Sequence, residues 1–174
     1  MKIKIVRECS DFLKAADGLP LIKMLPTEGS AERRVRVRKK KSTTPFDEAF
    51  NNVFIDHPDV RQRCILTNGS HALKRDDTTL EAFYIFPLNG FKFLYSTRVS
   101  NSSEEYGAAF NNLCESMDED QAKKIIGEVI SYDYKSDDLF TGLLSGCEII
   151  LFGIPAYYAI SANSVKSYST LFSL

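Results

Sequence analysis

The stretch "AERRVRVRKKKSTTPFDEAF", residues 31–50, decides the fold class because a strand pattern runs directly into a helix pattern. In "RRVRVRK" apolar and basic side chains alternate, and a period of two is typical of a strand with one buried face. Val35 and Val37 then share the buried face. The opposite, cationic face carries Arg34, Arg36 and Arg38.

The second half of the same stretch predicts a helix with a well-defined start. In "TTPFDEAFNNVF", Thr44 can cap the helix, Pro45 suits its first position, and Asp47 completes a capping box. The apolar side chains that follow recur at helical spacing on one face. They are Phe46, Ala49, Phe50, Val53 and Phe54.

The rest of the chain also contains patterns of both strands and helices. We expect strands in "KIKIV", "RQRCILTNGSHALKR", "LEAFYIFPLNGFKFLYS", "CEIILFGI" and "AYYAISA", and helices in "CSDFLKAAD", from Ser102 onward, and in "SDDLFTGLLSG". "LPTEGSAE" is typical of a connector, and the tail "SVKSYSTLFSL" of an added strand or a loosely held end. This order predicts a mixed α+β fold of mainly antiparallel sheets with packed helices, and not a regular βαβ sheet.

Length and composition indicate one domain over residues 1–174, with an N-terminal strand and helix extension over 1–30, a core over 31–160 and a tail over 161–174. The net charge is only -1, although Arg33–Lys41 carries seven positive charges. Glu104–Asp120 carries six acidic residues and no basic one. This balance argues against a general nucleic-acid or membrane-coating protein, and leaves one anion-facing surface or two self-complementary halves.

Several kinds of site lack support in the sequence. The 4 cysteines and 2 histidines form no CxxC pair and no metal-binding spacing, so we expect no metal site and reduced thiols in a cytosolic protein. The start lacks the apolar core of a signal peptide, and the run "CEIILFGIPAYYAI" is too short and interrupted to span a membrane. The P-loop, GxGxxG, HExxH and GxSxG motifs are missing.

Three features are candidates for a functional site, and each also has a purely structural interpretation. The arginine strand is a solvated face, a nucleic-acid surface, or the support of one inward arginine that clamps a diphosphate. Glu148, in "GCEIILFG", is either a strand-end carboxylate paired with one of these arginines or a group that stabilises positive charge on a sugar carbon. Thr67 and Ser70, in "ILTNGS", are turn residues or hydroxyls that order a catalytic carboxylate.

In this order, "RVRVRK", "TTPFDEAFNNVF", "ILTNGSHAL" and "CEIILFG" resemble the motifs of the ADP-ribosyltransferase superfamily. The chain also resembles small phage proteins of that kind through "TPFDEAFN", "RCILTNGS", "FPLNGFKF" and "EIILFGIPAYYAI". Together the two resemblances cover roughly residues 33–160. They imply an ADP-ribosyltransferase-like fold in a cytoplasmic protein, acting in a host cell if it is phage-encoded.

The resemblance also implies a site. NAD would be the cofactor and ADP-ribose would be transferred to a host macromolecule, with Glu148 stabilising the oxocarbenium-like transition state. The residues implied to hold NAD are Arg36 or Arg38 for the phosphates, Thr67 or Ser70 for the ribose pocket, and Tyr84, Phe86 or Phe91 for the nicotinamide. Gly146 stands where arginine-modifying members have Gln or Glu, so arginine is a doubtful acceptor.

Two interpretations without catalysis stand beside the transferase. In the first, the chain is an interaction module that binds a host protein or nucleic acid through Arg33–Lys41. In the second, it is an assembly component whose acidic helices meet a basic partner.

Overall fold

Eight strands form one antiparallel sheet in the computed structural model, which describes residues 1–69 and 79–171. The strands are β1 Ile22–Pro26, β2 Glu32–Arg36, β3 Cys64–Asn68, β4 Leu80–Pro87, β5 Lys92–Ser96, β6 Tyr134–Lys135, β7 Glu148–Phe152 and β8 Ala156–Ser161. Their order across the sheet is β2-β8-β4-β1-β3-β7-β5-β6. Every strand pairing among the described residues is antiparallel.

Six α-helices and one 3₁₀ helix complete the described part of the chain. They are α1 Lys2–Glu8, α2 Ser10–Ala16, α3 Pro45–Val53, α4 Ser102–Cys114, α5 Glu119–Asp133, α6 Leu139–Ser145 and the 3₁₀ helix Ala162–Leu171. The mixed α+β class and the mainly antiparallel sheet are therefore confirmed. Among the described residues, no helix combines the length and the apolar character needed to cross a membrane.

The capped helix predicted after the arginine strand is confirmed as α3. The Thr44 hydroxyl accepts a hydrogen bond from the Asp47 N–H at 3.1 Å, and the Asp47 carboxylate accepts one from the Thr44 N–H at 3.2 Å. This capping box satisfies two backbone donors that the first turn of a helix leaves free. It also fixes the Asp47 side chain at the start of α3, where it is buried.

Strand β7 lies between the two apolar clusters of the protein and is buried along its whole length. Ile149 and Leu151 pack into the first cluster, with α1, α2, α6, β4 and β8. Ile150 and Phe152 pack into the second cluster, with α3, α4 and α5. Because alternate residues of a strand point to opposite faces, side chains one position apart on β7 enter different cores.

The prediction of a strand in "KIKIV" is wrong, since residues 2–8 form α1. The alternation of lysine and isoleucine covers only five residues and leaves Ile3 85 % exposed. The buried positions Ile5, Cys9 and Phe12 instead follow the helical spacing of four and three residues, across α1 and α2. Burial on one helical face therefore decides the structure of this segment.

Two other local predictions need correction. Strand β1 lies in the interior of the sheet and includes the first two residues of the predicted connector "LPTEGSAE". The tail forms a 3₁₀ helix and not a strand. Gly90 adopts a positive φ of 80°, as a turn at Asn89-Gly90 requires. Yet β4 and β5, which this turn joins, are separated in the sheet by β1, β3 and β7, so they form no hairpin.

Candidate functional site

A buried arginine that the sequence analysis did not single out organises the polar interior next to α3. Arg61 is 0 % exposed, and its Nε donates a hydrogen bond to Asp47 at 3.2 Å. Its two terminal nitrogens donate to the hydroxyls of Ser102 at 3.0 Å and Ser103 at 2.7 Å. The guanidinium also lies 5.1 Å from the centre of the Phe50 ring. A fully desolvated guanidinium needs such partners, because an unpaired buried charge costs several kcal/mol.

Glu148, the predicted catalytic residue, belongs to this same buried cluster. It is 3 % exposed, and one carboxylate oxygen accepts a hydrogen bond from the Tyr134 hydroxyl at 2.6 Å. The other oxygen accepts one from the Ser102 N–H at 3.1 Å, and Arg61 Nη1 lies 4.0 Å from the first oxygen. Both oxygens are thus engaged by the protein. This is the geometry of a strand-end glutamate beside an arginine, but the arginine is Arg61 and not one of the arginine strand.

The electrostatics of the cluster follow from burial and from these contacts. Burial raises the pKa of Tyr134, and the negative charge of Glu148 and its hydrogen bond raise it further, so this hydroxyl stays a donor. For Asp47, burial alone would raise the pKa. Hydrogen bonds from Lys40, Thr44 and Arg61 outweigh it, and the pKa lies below its ordinary value. The cluster therefore holds a neutral phenol beside an ionised Asp47.

Thr67 lies on the opposite face of the sheet from Glu148. In the β3–β7 register Thr67 pairs with Ile149, whereas Asn68 pairs with Glu148. Directly paired residues share a face, so Thr67 points toward the first cluster and Glu148 toward the second. The Thr67 hydroxyl donates to the Ile149 carbonyl at 2.7 Å. Thr67 is therefore not placed to brace a pocket around Glu148, while Ser70 lies outside the described residues.

The aromatic residues implied to stack on nicotinamide also lie apart from Glu148. Phe86 and Phe91 both pack against the ring of Phe12 in the first cluster, with ring centres 6.0 and 6.1 Å from it. Tyr84 packs against the same cluster. The structure therefore does not bring Glu148 together with any of these three rings.

Arg36 and Arg38 are exposed, at and just after the end of the edge strand β2. Four strands stand between β2 and β7 in the sheet order. The predicted faces are nevertheless confirmed, because Val35 and Val37 pack against the first cluster while Arg34, Arg36 and Arg38 remain exposed. The predicted site residues are thus distributed over a buried cluster, an apolar core and an exposed edge.

Two of the seven charged side chains in Arg33–Lys41 form hydrogen bonds or ion pairs within the protein, and Arg34 lies 5.9 Å from the centre of the Tyr158 ring. Arg33 donates to the carbonyls of Glu28 at 2.8 Å and Pro26 at 3.0 Å, and its guanidinium lies 4.5 Å from the centre of the Phe83 ring. Lys40 forms a 3.0 Å ion pair with Asp47. Within residues 1–69 and 79–171, the remaining five form no ion pair with an acidic side chain. We call these five residues the basic row: Arg34, Arg36, Arg38, Lys39 and Lys41.

A groove that the sequence analysis missed opens beside the second cluster. It has a volume of about 410 Å³ and lies between the loop after α3, strand β5 and the end of β6. Its lining includes Phe54, His57, Lys92, Leu94, Ser136 and Phe152. The centres of the His57 and Phe152 rings are 5.0 Å apart and the rings are inclined at 56°, so His57 forms a wall of the groove over the Phe152 floor.

The basic row and this groove approach one another at the same end of the sheet. The Val37 N–H donates to the Pro155 carbonyl at 2.9 Å, and the Lys40 N–H donates to the Gln62 carbonyl at 2.9 Å. These bonds connect the segment that carries the basic row to two places next to groove residues. One is the loop after β7, which follows Phe152, and the other is the segment that follows His57. The sequence pattern could not show this contact, because it joins segments far apart in the chain.

Comparison of the chain with protein-family models, with curated proteins and with solved structures finds no match.

Proposed function

We propose that the chain is a non-catalytic interaction module that binds single-stranded nucleic acid of a host through the basic row. One observation carries the proposal: five cations stand exposed along one segment, and none forms an ion pair with an acidic side chain of the described chain. The resemblance to small phage proteins supports placing the partner in a host cytosol.

The geometry of the row suits a repeating anion. Arg34 and Arg36 flank the inward Val35 on β2, so their side chains point the same way about 6.6 Å apart, and Arg38 follows Val37 just beyond the end of the strand. Guanidinium groups engage phosphate oxygens in pairs through parallel N–H bonds. A regular row of such groups favours a polymer with regularly spaced phosphates over a protein surface, whose carboxylates need follow no period.

The net charge of the molecule confines the attraction for polyanions to the basic row. The net charge of -1 gives the whole chain no general attraction for polyanions. We therefore expect binding to depend on the row alone and to fall steeply with salt. For five phosphate contacts on a single strand the slope of log K against log salt is about -3.5, which is about 100-fold between about 50 and about 200 mM salt.

The test is fluorescence anisotropy of a labelled oligothymidylate titrated with the full chain at several salt concentrations. Arg36→Glu with Arg38→Glu should reduce the salt slope by about 1.4 and weaken binding at least about tenfold. The matched control is Lys14→Glu with Lys124→Glu, which changes the net charge equally at two other exposed positions. The control should bind nearly as the wild type does.

Two results would overturn this proposal. Equal losses in the two double variants would show that net charge, and not the basic row, governs binding. Tighter binding of polyglutamate than of oligothymidylate at equal charge would identify an acidic protein surface as the partner.

The ADP-ribosyltransferase-like fold and the use of NAD stay predictions from the sequence. Their support is the order of the motifs, since β2, α3, β3 and β7 follow one another as the resemblance requires. The burial of Glu148 does not favour the transferase, because the carboxylate must reach a bound nicotinamide ribose. Calorimetric titration of the full chain with NAD tests it directly: saturable heat supports a NAD site, and the absence of heat opposes one.

A further inference from the structure

The geometry points to the groove beside β5 as a binding site for one nucleobase of the bound strand, of the type that carries an amine next to a ring nitrogen, as adenine and cytosine do. This inference rests on the proposed function, since it names what the single strand would place there. Three features of the groove carry it: its aromatic wall, an unpaired strand edge, and a cation at the rim.

The wall and floor of the groove are formed by two rings and an aliphatic side chain. His57 lies over Phe152, and its backbone is held by bonds between the His57 N–H and the Phe54 carbonyl at 2.7 Å and between the Val60 N–H and the His57 carbonyl at 3.1 Å. Leu94 and Phe152 are buried beneath. A flat ring can stack on such a surface whatever its sequence identity, and about 410 Å³ lies within the range of small-ligand pockets.

Among the described residues, no strand pairs with the β6 side of β5 between Lys92 and Leu94, and we infer that this open edge faces the groove. β7 pairs with residues Lys92–Tyr95, whereas β6 pairs only with Tyr95 and Ser96 on the other side. The Tyr134 N–H is already bonded to the Ile130 carbonyl, so Tyr95 and Lys135 form the pair that exchanges hydrogen bonds between β5 and β6. Alternation along the strand then turns the N–H and C=O of Phe93 toward the same open side.

This edge lines the groove with backbone and not with rings. The Phe91 and Phe93 side chains pack against the first cluster, while Leu94 faces the second cluster with Phe152. Both phenylalanines nevertheless line the groove. The groove therefore offers one donor and one acceptor from Phe93, side by side. A base with a ring nitrogen next to an amine presents the complementary acceptor and donor.

The length of the edge decides between a base and a peptide strand. β6 closes the edge at Tyr95, and at the other end the chain turns at Gly90, whose N–H is bonded to Asp11. Only about three residues remain open, less than the usual length of an added strand. A compact heterocycle can use a single donor and acceptor pair, so it fits this edge better.

Charged groups at the rim complement a nucleotide. Lys92 is exposed beside the floor and can meet a phosphate, and the Asp56 carboxylate can accept from an exocyclic amine. The groove also lies at the end of the sheet where the basic row is tied to the loop after β7. A strand held on the row can thus place one base in the groove.

The test is a titration of the full chain with cytidine 5′-monophosphate, followed by the backbone amide signals in ¹H–¹⁵N NMR spectra. We expect the NMR signal of the Phe93 amide to shift when the nucleotide is added and to keep its position when ribose 5-phosphate is added. His57→Ala should weaken binding about tenfold. His57→Leu, which keeps an apolar group on Phe152, should weaken it similarly. Lys92→Gln should weaken binding of the nucleotide about threefold and leave binding of cytidine unchanged, whereas Lys14→Gln should change the binding of neither.

The outcomes separate this inference from the proposed function. Arg36→Glu with Arg38→Glu should leave binding of the mononucleotide unchanged, because neither arginine lines the groove. Oligothymidylate binding without any Phe93 shift by the mononucleotide rejects the groove and keeps the basic row. A Phe93 shift without oligothymidylate binding rejects the basic row and keeps the groove. Equal shifts by ribose 5-phosphate, or full affinity in both His57 variants, overturn the inference.

Discussion

Replacing Glu148 by glutamine should destabilise the protein, and this variant separates a structural carboxylate from a catalytic one. Glu148 accepts hydrogen bonds from Tyr134 at 2.6 Å and from Ser102 at 3.1 Å, with Arg61 4.0 Å away. Glutamine keeps one acceptor oxygen and turns an NH₂ group toward one of these two donors. It also removes the negative charge next to a guanidinium that is 0 % exposed.

The magnitude follows from these contacts. A hydrogen bond to a charged group contributes about 1.5–3 kcal/mol, and the loss of a counter-charge beside a buried arginine adds to it. We expect the free energy of unfolding to fall by about 3 kcal/mol. For a chain of this size about 1 kcal/mol lowers Tm by roughly 2–4 °C, so Tm should fall by roughly 6–12 °C.

The assay is urea unfolding followed by far-ultraviolet circular dichroism, with Glu128→Gln as the control. Glu128 is exposed on α5, so removing its charge should change the unfolding free energy by less than about 0.5 kcal/mol. An equally small change in Glu148→Gln would refute the buried cluster as described. It would instead favour an accessible carboxylate, as the transferase interpretation requires.

Three further outcomes are expected. Thr44→Ala removes the acceptor of the capping box and should cost about 1 kcal/mol in urea unfolding, whereas Thr44→Ser should be nearly neutral. Asp47 has a pKa below its ordinary value of 3.8, so its ionised form stabilises the fold above about that pH, and this contribution is lost as the pH falls through the lower folded-state pKa. Acid unfolding curves of the wild type and Asp47→Asn should therefore converge below pH 3.8, and a constant gap would contradict the assigned contacts. Gly69→Ala would place a Cβ in a steric clash with the Leu143 carbonyl oxygen, so Tm should fall by several degrees. An unchanged Tm would show that α6 can move away.

The strongest local patterns of the sequence predicted structure correctly because they are self-contained. The alternation of arginine and valine in β2 and the capping box of α3 each involve residues within one short segment, where strand period and backbone donors decide the result. The exposed face of Arg34, Arg36 and Arg38 followed from the same alternation. "KIKIV" failed because its short alternation competed with the longer helical spacing of Ile5, Cys9 and Phe12.

The candidate site was less accessible to such arguments. Nothing in "RQRC" distinguishes Arg61 from the exposed Arg63 two positions later, since burial of Arg61 depends on Asp47, Ser102 and Ser103 from other segments. The groove likewise needs the loop after α3, the edge of β5 and the end of β6 to meet. No periodicity within one segment reports such a meeting.

By itself, therefore, the sequence determined the mixed class, the capped helix and the presence of an exposed cationic strand face, since each follows from spacing along a single segment. Only the tertiary structure decided that Glu148 is sealed beside Arg61, that Thr67 faces the other core, and that two of the basic residues are used internally. The physical reason is that the surroundings of a charge or hydroxyl are set by side chains distant in the chain. Those side chains come together only when the strands pair and the helices pack.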